Sequence, residues 1–392
     1  MRRIYLDNAA TTPTDSEVVN AISPYLSLKY GNPNSVHYFG NEAREAVEEA
    51  RKKVAHLIGA QPEEIIFTGG GTEGDNHAIK GVAWANQKKG NHIITTKIEH
   101  HAVLHACQFL EKHGFTVTYL PVDKYGLINP EDVKKAVTNQ TILISIMHAN
   151  NEIGTIEPIS EIGRIAKEAD IYFHTDSVQA FGHIPIDVDE LGVDMITMSG
   201  HKLYAPNGIG ALFLRKGTKI VPLIHGGGQE RNRRAGTENV AGIVGMGKAA
   251  ELAEKRMLEG ESEKIIQLRD KLIDGIMKKI KHVRLNGHPS KRLPGNVNLC
   301  FEFIEGESML LSLDMQGVAA SSGSACTSGS LEASHVLLAI GLPPEIAHGS
   351  LRMTLGKDNT TQDVDYVINI LPGIIKKLRQ LSPFQGKWEG IE

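Results

Sequence analysis

The sequence predicts an α/β fold with a large domain built on a mostly parallel sheet and a smaller α+β domain. Strand-like and helix-like segments alternate through the first two thirds of the 392 residues. This alternation is typical of a parallel sheet covered by helices. A long helical stretch over 237–280 follows and is expected to link the two domains. The segments beyond it change in character, and the chain is long enough for two domains with a large buried core.

The individual elements follow from hydrophobic periodicity. Residues 41–58 carry apolar side chains at helical spacing, and 73–86 are expected to form a second helix. Short apolar runs predict strands in the large domain at 64–68, 92–96, 117–122, 141–147, 171–175, 195–199 and 211–214. In the smaller domain the sequence predicts strands at 296–303 and 350–354, a helix at 307–315 and a closing helix at 361–381.

A lysine stands where one predicted strand ends. Strand 195–199 runs into Ser199, Gly200, His201 and Lys202, and the preceding strand ends at Asp176. Ligands of open α/β sheets bind at the carboxyl ends of the strands, so neighbouring strands would bring Asp176 and Lys202 into one crevice. A lysine amine for a Schiff base and a carboxylate for a ring nitrogen are what pyridoxal phosphate requires. A lone loop lysine would instead be expected in solvent.

A strand, three glycines, Thr72 and a helix predict an anion site at 69–72. Glycines let backbone N–H groups approach an oxyanion, and the helix N-terminus adds its dipole. Alone, the pattern is equally a tight turn with Thr72 as a helix cap. Ser199 and His201 strengthen the phosphate reading, because they flank Lys202 and could donate to the same anion. The pattern is neither a Walker loop nor a dinucleotide fingerprint.

Two further polar positions follow predicted strands. His100 opens a helix after strand 92–96 and could stack on an aromatic cofactor or move protons, although a helix cap is the simpler reading. Asn151 follows strand 141–147, where it could bind a cofactor oxygen or a substrate carboxylate. Asparagine is equally common in ordinary turns.

The three cysteines differ in their surroundings. Cys107 and Cys300 lie in apolar segments and are expected to be small buried hydrophobic residues. Cys326 lies in a Ser/Gly-rich stretch at 321–330, where chemistry explains an exposed thiol better than an incidental linker residue does. Arg352 lies in an otherwise apolar strand. Its planar fork suits either a substrate carboxylate or an internal salt bridge.

The bulk composition excludes several functional classes. A net charge of -4 provides no global attraction for nucleic acid or anionic lipid. No apolar run reaches the roughly 18 residues of a membrane helix, and the N-terminal residues do not resemble a signal peptide. Three cysteines are too few to suggest a disulfide framework. We therefore expect a cytoplasmic protein that binds neither membranes nor nucleic acid directly.

Taken together, these motifs resemble those of cysteine desulfurases of the IscS/NifS type, in the class-V aminotransferase family. The resemblance covers nearly the whole chain and is most specific at 5–13, 150–154, 199–202 and 321–328. It implies the pyridoxal-phosphate fold of type I, with a mostly parallel seven-stranded sheet. It also implies a large domain at 13–255 and a small domain made of 1–12 and 256–392, carrying the Cys326 loop.

The resemblance implies a role for each candidate residue. Lys202 would carry pyridoxal 5'-phosphate, Asp176 would pair with the ring nitrogen, Gln179 would reach the ring hydroxyl, and His100 would stack on the ring and move protons. The phosphate would be held by Gly71, Thr72, Ser199, His201 and, from a second subunit, Thr237. Asn151, also near the ring, and Arg352 would bind the substrate carboxylate. Cys326 would accept the sulfur, and it is also a candidate transient iron–sulfur ligand, with no resident metal expected.

The implied activity is the removal of sulfur from L-cysteine by a homodimer, giving L-alanine and a persulfide on Cys326. The sulfur would pass to an iron–sulfur scaffold protein or another acceptor, whose identity the sequence leaves open. The tail beyond Leu381 is shorter than in many IscS-type proteins, and the family's usual Ser-Gly-Ala-Thr is Gly69-Gly70-Gly71-Thr72 here. Two other readings remain at this point: an aminotransferase or β-lyase, which needs no mobile thiol, and a non-catalytic platform for iron–sulfur assembly. Selenocysteine use and the role of Arg231, Arg233 and Arg234 are also open.

Overall fold

The computed structural model describes residues 3–322 and 333–382. The helices are α1 (Ser16–Ser27), α2 (Tyr38–His56), α3 (Gly71–Asn86), α4 (His101–Glu111), α5 (Pro130–Ala136), α6 (Ile159–Glu168), α7 (Val188–Leu191), α8 (Val240–Leu258), α9 (Glu261–Lys279), α10 (Gly306–Asp314), α11 (His335–Ala339), α12 (Pro344–Ala347) and α13 (Thr361–Leu381). The strands are β1 (Ile4–Tyr5), β2 (Ile65–Thr68), β3 (His92–Thr96), β4 (Thr116–Leu120), β5 (Thr141–Ser145), β6 (Tyr172–Asp176), β7 (Met195–Ser199), β8 (Gly210–Leu214), β9 (Gly228–Gln229), β10 (Arg234–Ala235), β11 (Val283–Leu285), β12 (Asn296–Phe301), β13 (Val318–Ala319) and β14 (Ser350–Thr354).

A seven-stranded sheet with the order β2-β8-β7-β6-β5-β3-β4 forms the larger part of the structure. The pairs from β7 through β6, β5 and β3 to β4 are parallel, whereas β8 runs antiparallel to both of its neighbours. Strands β3, β5, β7 and β8 are buried along their whole length. This burial explains their continuous apolar runs, because helices cover both faces of such a sheet. The predicted mostly parallel seven-stranded sheet is confirmed.

A smaller antiparallel sheet, in the order β11-β12-β14, is built from the last third of the chain. The N-terminal residues join this part of the structure. Strand β1 pairs in parallel with β13, and Asp7 forms a bridge with Thr354 at the end of β14. Ile4 and Leu6 share one apolar core with residues of α9, β12 and α13. The division into 13–255 and 1–12 with 256–392 stays a prediction.

The prediction of one continuous helical stretch at 237–280 is wrong. The structure has two helices there, α8 and α9, separated at Gly260, whose φ of 74° lies in the left-handed region. Glycine adopts this conformation without the steric cost that a Cβ atom imposes. Helix α3 also begins earlier than predicted, at Gly71 rather than residue 73, so its first turn includes Thr72. Helix α1 was not predicted from the sequence.

Candidate active site

A cavity of 240 Å³ opens at the carboxyl ends of β6 and β7. These strands are parallel neighbours, with Asp176 opposite Thr197. This is the arrangement under which the sequence predicted that Asp176 and Lys202 would share one crevice. Among the predicted residues, the cavity brings together Gly71, Thr72, His100, Asn151, Asp176, Gln179, Ser199, His201 and Lys202. It also includes Ala9, Asp75, Met147, Ala149 and Val178, which were not predicted.

Lys202 lies on a single 3-10 turn, Gly200–Lys202, directly after β7. Its Nζ donates to the backbone carbonyls of Ala9 and Ala10, at 2.6 Å each. The backbone carbonyl of Lys202 is itself 2.9 Å from Nε2 of His183, so the turn is held at both its main chain and its side chain. The amine therefore has a defined position inside the cavity, set by the N-terminal segment, residues 7–12.

Asp176 is the last residue of β6 and is only 5% exposed. Its Oδ1 accepts a hydrogen bond of 2.9 Å from the backbone N–H of Val178. Burial raises the pKa of Asp176 above its usual value, whereas the Val178 hydrogen bond and the charge of Lys202 lower it. Nearby, Gln179 donates from Nε2 to the carbonyl of Ala9 at 3.0 Å. Asp176 thus has both a donor and a cation to stabilise its charge.

A second carboxyl group, Asp75, lines the same cavity and was missed by the sequence reading. Its Oδ1 is buried with no hydrogen-bond partner among the described residues, and it lies 3.6 Å from Nε2 of His174. Burial first, and then the charge of Asp176, raise the pKa of Asp75 well above its usual value. Burial lowers the pKa of His174 to about 3, so this histidine is neutral and offers no compensating charge.

The start of α3 forms one wall of the cavity. Gly70 has a φ of 149°, a conformation that L side chains rarely adopt, and it directs the chain from β2 into the helix. A Cβ atom at Gly71 would lie 2.8 Å from Cγ2 of Val178, so the backbone passes close to the cavity wall. The first N–H groups of a helix are available to an anion. Thr72, Ser199 and His201 add polar side chains to this anion-binding arrangement.

His100 caps a helix and also lines the cavity. Its Nδ1 accepts a hydrogen bond of 3.2 Å from the backbone N–H of Ala102, and it thereby caps α4. The same residue lines the cavity. Burial, followed by the charge of Lys202, lowers the pKa of His100 to about 4. It is therefore a neutral imidazole at pH 7.

Arg352 is 1% exposed and forms an internal salt bridge, one of the two outcomes considered from the sequence. Its Nη2 donates to Oδ1 of Asp7 at 3.1 Å, and its Nη1 donates to the backbone carbonyl of Asn151 at 3.1 Å. Asn151 lines the cavity, whereas Arg352 lies directly behind it. The structure therefore connects the two residues predicted to bind the substrate carboxylate.

Of the predicted residues that the structure describes, Thr237 and Arg352 do not line this cavity. Thr237 is exposed and lies in the segment between β10 and α8, and its action on a second subunit stays a prediction. Cys326 lies outside the described residues, so its position relative to Lys202 stays a prediction. Cys107 and Cys300 are free and buried, as expected from their apolar segments.

Comparison with known proteins gives a consistent set of relatives. A sequence profile of the family described as "Aminotransferase class-V" matches residues 4–367. "Cysteine desulfurase IscS" of Dictyoglomus turgidum is 61% identical over 388 residues, covering 99% of this chain and 98% of that protein. The protein of the same name from Methanosarcina thermophila is 58% identical, covering 98% of this chain and 95% of that protein.

Solved structures agree in fold. A structure titled "NIFS-LIKE PROTEIN" has a TM-score of 0.90 and 40% identity, covering 96% of this chain and all of that one. The cysteine desulfurase of Thermococcus onnurineus has a TM-score of 0.86 at 27% identity, covering 96% of this chain and 95% of that one.

Proposed function

Because the chain belongs to the class-V aminotransferase family and, within it, to the cysteine desulfurases of the IscS/NifS type, we propose that Lys202 is the central amine of its reaction. The enzyme removes sulfur from L-cysteine and releases L-alanine. The observation that carries the residue assignment is the single cavity that contains Lys202, Asp176 and the start of α3. The assignments below rest on this cavity and on the motifs that the chain shares with the family.

The residues around the cavity fit pyridoxal 5'-phosphate, the cofactor of this family. The buried carboxylate of Asp176 suits a protonated ring nitrogen, and Gln179 offers an amide nearby. Gly71, Thr72, Ser199 and His201 would hold the phosphate, through backbone N–H groups and side-chain donors. When bound, the cofactor supplies an aldehyde that bonds an amine and a ring that withdraws electrons from the Cα of the substrate.

Side chains of the protein would carry out the proton transfers. Lys202 removes the Cα proton of the substrate, and the carbonyls of Ala9 and Ala10 hold its Nζ in the cavity. The neutral imidazole of His100 can accept a proton, because burial lowers its pKa to about 4 and it is uncharged at pH 7. Asn151 and Arg352 bind the carboxylate of the substrate and thereby orient its sulfur.

Cys326 is assigned the acceptor role on its sequence context alone. A thiolate is a strong nucleophile. Its attack on the substrate sulfur would break the carbon–sulfur bond, leave the persulfide on Cys326 and leave the electron pair on the carbon, which takes up a proton as alanine forms. This sulfur would then pass to an iron–sulfur scaffold protein or another acceptor. We also propose a cytoplasmic location, which the low cysteine content favours. None of the described helices combines the length and the apolar character needed to span a bilayer.

A homodimer would complete the phosphate site through Thr237. An apolar surface lies around the start of α2, where Tyr30, Val36 and Tyr38 are 67%, 90% and 72% exposed and Tyr30 stacks on Phe39. The side chain of Asn34, in this surface, contacts Gln229 in the segment that leads to Thr237. A second copy of the chain is therefore the occupant that this apolar surface fits.

Two variants of the purified enzyme test the assignment. Lys202→Ala should lose both the yellow colour of the bound cofactor and all release of alanine from L-cysteine. Cys326→Ala should keep the colour but form no persulfide and almost no sulfide. Sulfide production at the wild-type rate by Cys326→Ala would reject its role as acceptor. Adding a keto acid and finding amino-group exchange would instead indicate an aminotransferase.

A further inference from the structure

The guanidinium group of Arg352 is buried, but not all of its nitrogens have a hydrogen-bond partner among the described residues. Nη2 contacts Oδ1 of Asp7 and Nη1 contacts the Asn151 carbonyl, each at 3.1 Å. Nε is buried and has no hydrogen-bond partner among the described residues. Nε and Nη2 form one edge of the guanidinium, the edge that a carboxylate can fill with two parallel hydrogen bonds. Asp7 contacts only one of the two nitrogens on that edge.

Asp7 is held in this position by the main chain around it. Strand β1 ends at Tyr5 and pairs with β13, and Asp7 itself bridges to Thr354. The Asn8 side chain also donates to the Thr354 carbonyl at 2.8 Å. Burial raises the pKa of Asp7, whereas the charges of Arg352 and Lys202 lower it. The carboxylate of Asp7 is thus held against Arg352, the residue proposed to bind the carboxylate of the substrate.

We propose that Asp7 is an internal competitor for the substrate carboxylate. It holds Arg352 in the empty site through Nη2, and it gives up this contact when the substrate carboxylate binds along the Nε–Nη2 edge. The proposal rests on the assignment of Arg352 made under the proposed function. Its consequence is that a ligand with a carboxylate loses part of its binding free energy in displacing Asp7 from Nη2, whereas a ligand without a carboxylate leaves the Asp7 contact in place.

Two small ligands isolate this effect in the cofactor-loaded enzyme. L-Alanine carries a carboxylate, and L-alaninamide has the same shape with an uncharged amide, so the ratio of their inhibition constants measures preference for a carboxylate. In Asp7→Asn the inhibition constant of L-alanine should fall about tenfold, because the competing charge is removed. That of L-alaninamide should stay within about twofold. Asp7→Glu keeps the charge and should retain a preference close to that of the wild type.

Asp15→Asn is the matched control. Asp15 is a buried carboxylate paired with Arg256 and lies 3.3 Å from Nζ of Lys357, outside the cavity, so its replacement should leave the ratio unchanged. If L-alanine binds Asp7→Asn no more tightly than the wild type, while Arg352→Gln loses its preference for L-alanine, Asp7 is not a competitor. If Arg352→Gln keeps the preference, the assignment of Arg352 to the substrate is wrong, and the Asp7 proposal falls with it.

Discussion

At the scale of single residues, two buried carboxyl groups share one cavity, but only Asp176 has the charge of Lys202 to lower its pKa. Asp176 was predictable because it ends a strand next to the strand that leads to Lys202. Asp75 was not, because it lies one turn inside α3, where nothing in the sequence marks it. Its neighbours His174 and Thr197 come from strands about a hundred residues further along the chain. Only the folded arrangement reveals that Oδ1 of Asp75 is buried without a hydrogen-bond partner among the described residues.

The proton on Asp75 gives a pH dependence of known sign. A carboxyl group whose pKa is raised on folding binds more protons in the folded than in the unfolded state, so its contribution to stability is lost as pH rises. That contribution is complete below the unfolded pKa of about 3.9 and declines as pH rises through the folded pKa. The unfolding free energy of the cofactor-free wild type, minus that of Asp75→Asn, should therefore fall as the pH rises above about 3.9. Urea unfolding at several pH values measures this difference. If the free-energy difference between the two proteins stays constant or rises with pH, folding does not raise the pKa of Asp75.

At the scale of elements, the start of α3 explains where sequence reading loses precision. The glycine run predicted an anion site followed by a helix; the helix is present, but it begins at Gly71 because Gly70 adopts a conformation that other residues avoid. Hydrophobic periodicity carries no information about such a turn. The break between α8 and α9 at Gly260 has the same origin, since a single left-handed residue ends one helix and starts the next.

Alanine at Gly70 tests this conformational requirement. Because its φ of 149° is strained for any residue with a Cβ atom, Gly70→Ala should lower the free energy of unfolding by about 1–3 kcal/mol. Gly373→Ala is the control, since Gly373 lies exposed inside α13 with no atom within 4 Å of an added Cβ. There the same substitution should raise stability by up to about 1 kcal/mol. Urea unfolding of both variants measures the effects, and equal changes of the same sign would rule out a special role for the Gly70 turn.

At the scale of the whole molecule, the sequence indicated the strands but not their order. Apolar runs such as 92–96 and 195–199 match β3 and β7 at both ends. Strand β8 is inserted between β2 and β7 and runs antiparallel to both, and its pairing with β2 joins segments more than a hundred residues apart. Likewise, the resemblance implied that residues 1–12 belong with the small domain, but it did not indicate that the carbonyls of Ala9 and Ala10 hold Lys202.

Association of two chains also belongs to this scale. If the apolar surface at Tyr30, Val36 and Tyr38 faces a second copy, Tyr38→Asp would place a charge in that interface without a partner. The dimer dissociation constant should rise at least about tenfold, as measured by sedimentation at several protein concentrations. Leu258→Asp, which changes an 83% exposed leucine at the end of α8, should leave dissociation unchanged. A Tyr38→Asp protein that stays as tightly dimeric as Leu258→Asp would exclude this surface as the interface.

The pairing of β1 with β13 has a consequence for biosynthesis. Residues 4–10 leave the ribosome long before their partners Val318, Ala319 and Thr354, which lie more than three hundred residues further along the chain. Until then the carbonyls that hold Lys202 have no fixed place, because the strand that anchors them is unpaired. Translation must therefore pass Thr354 before a catalytically competent site can form, and we expect shorter nascent chains to be inactive.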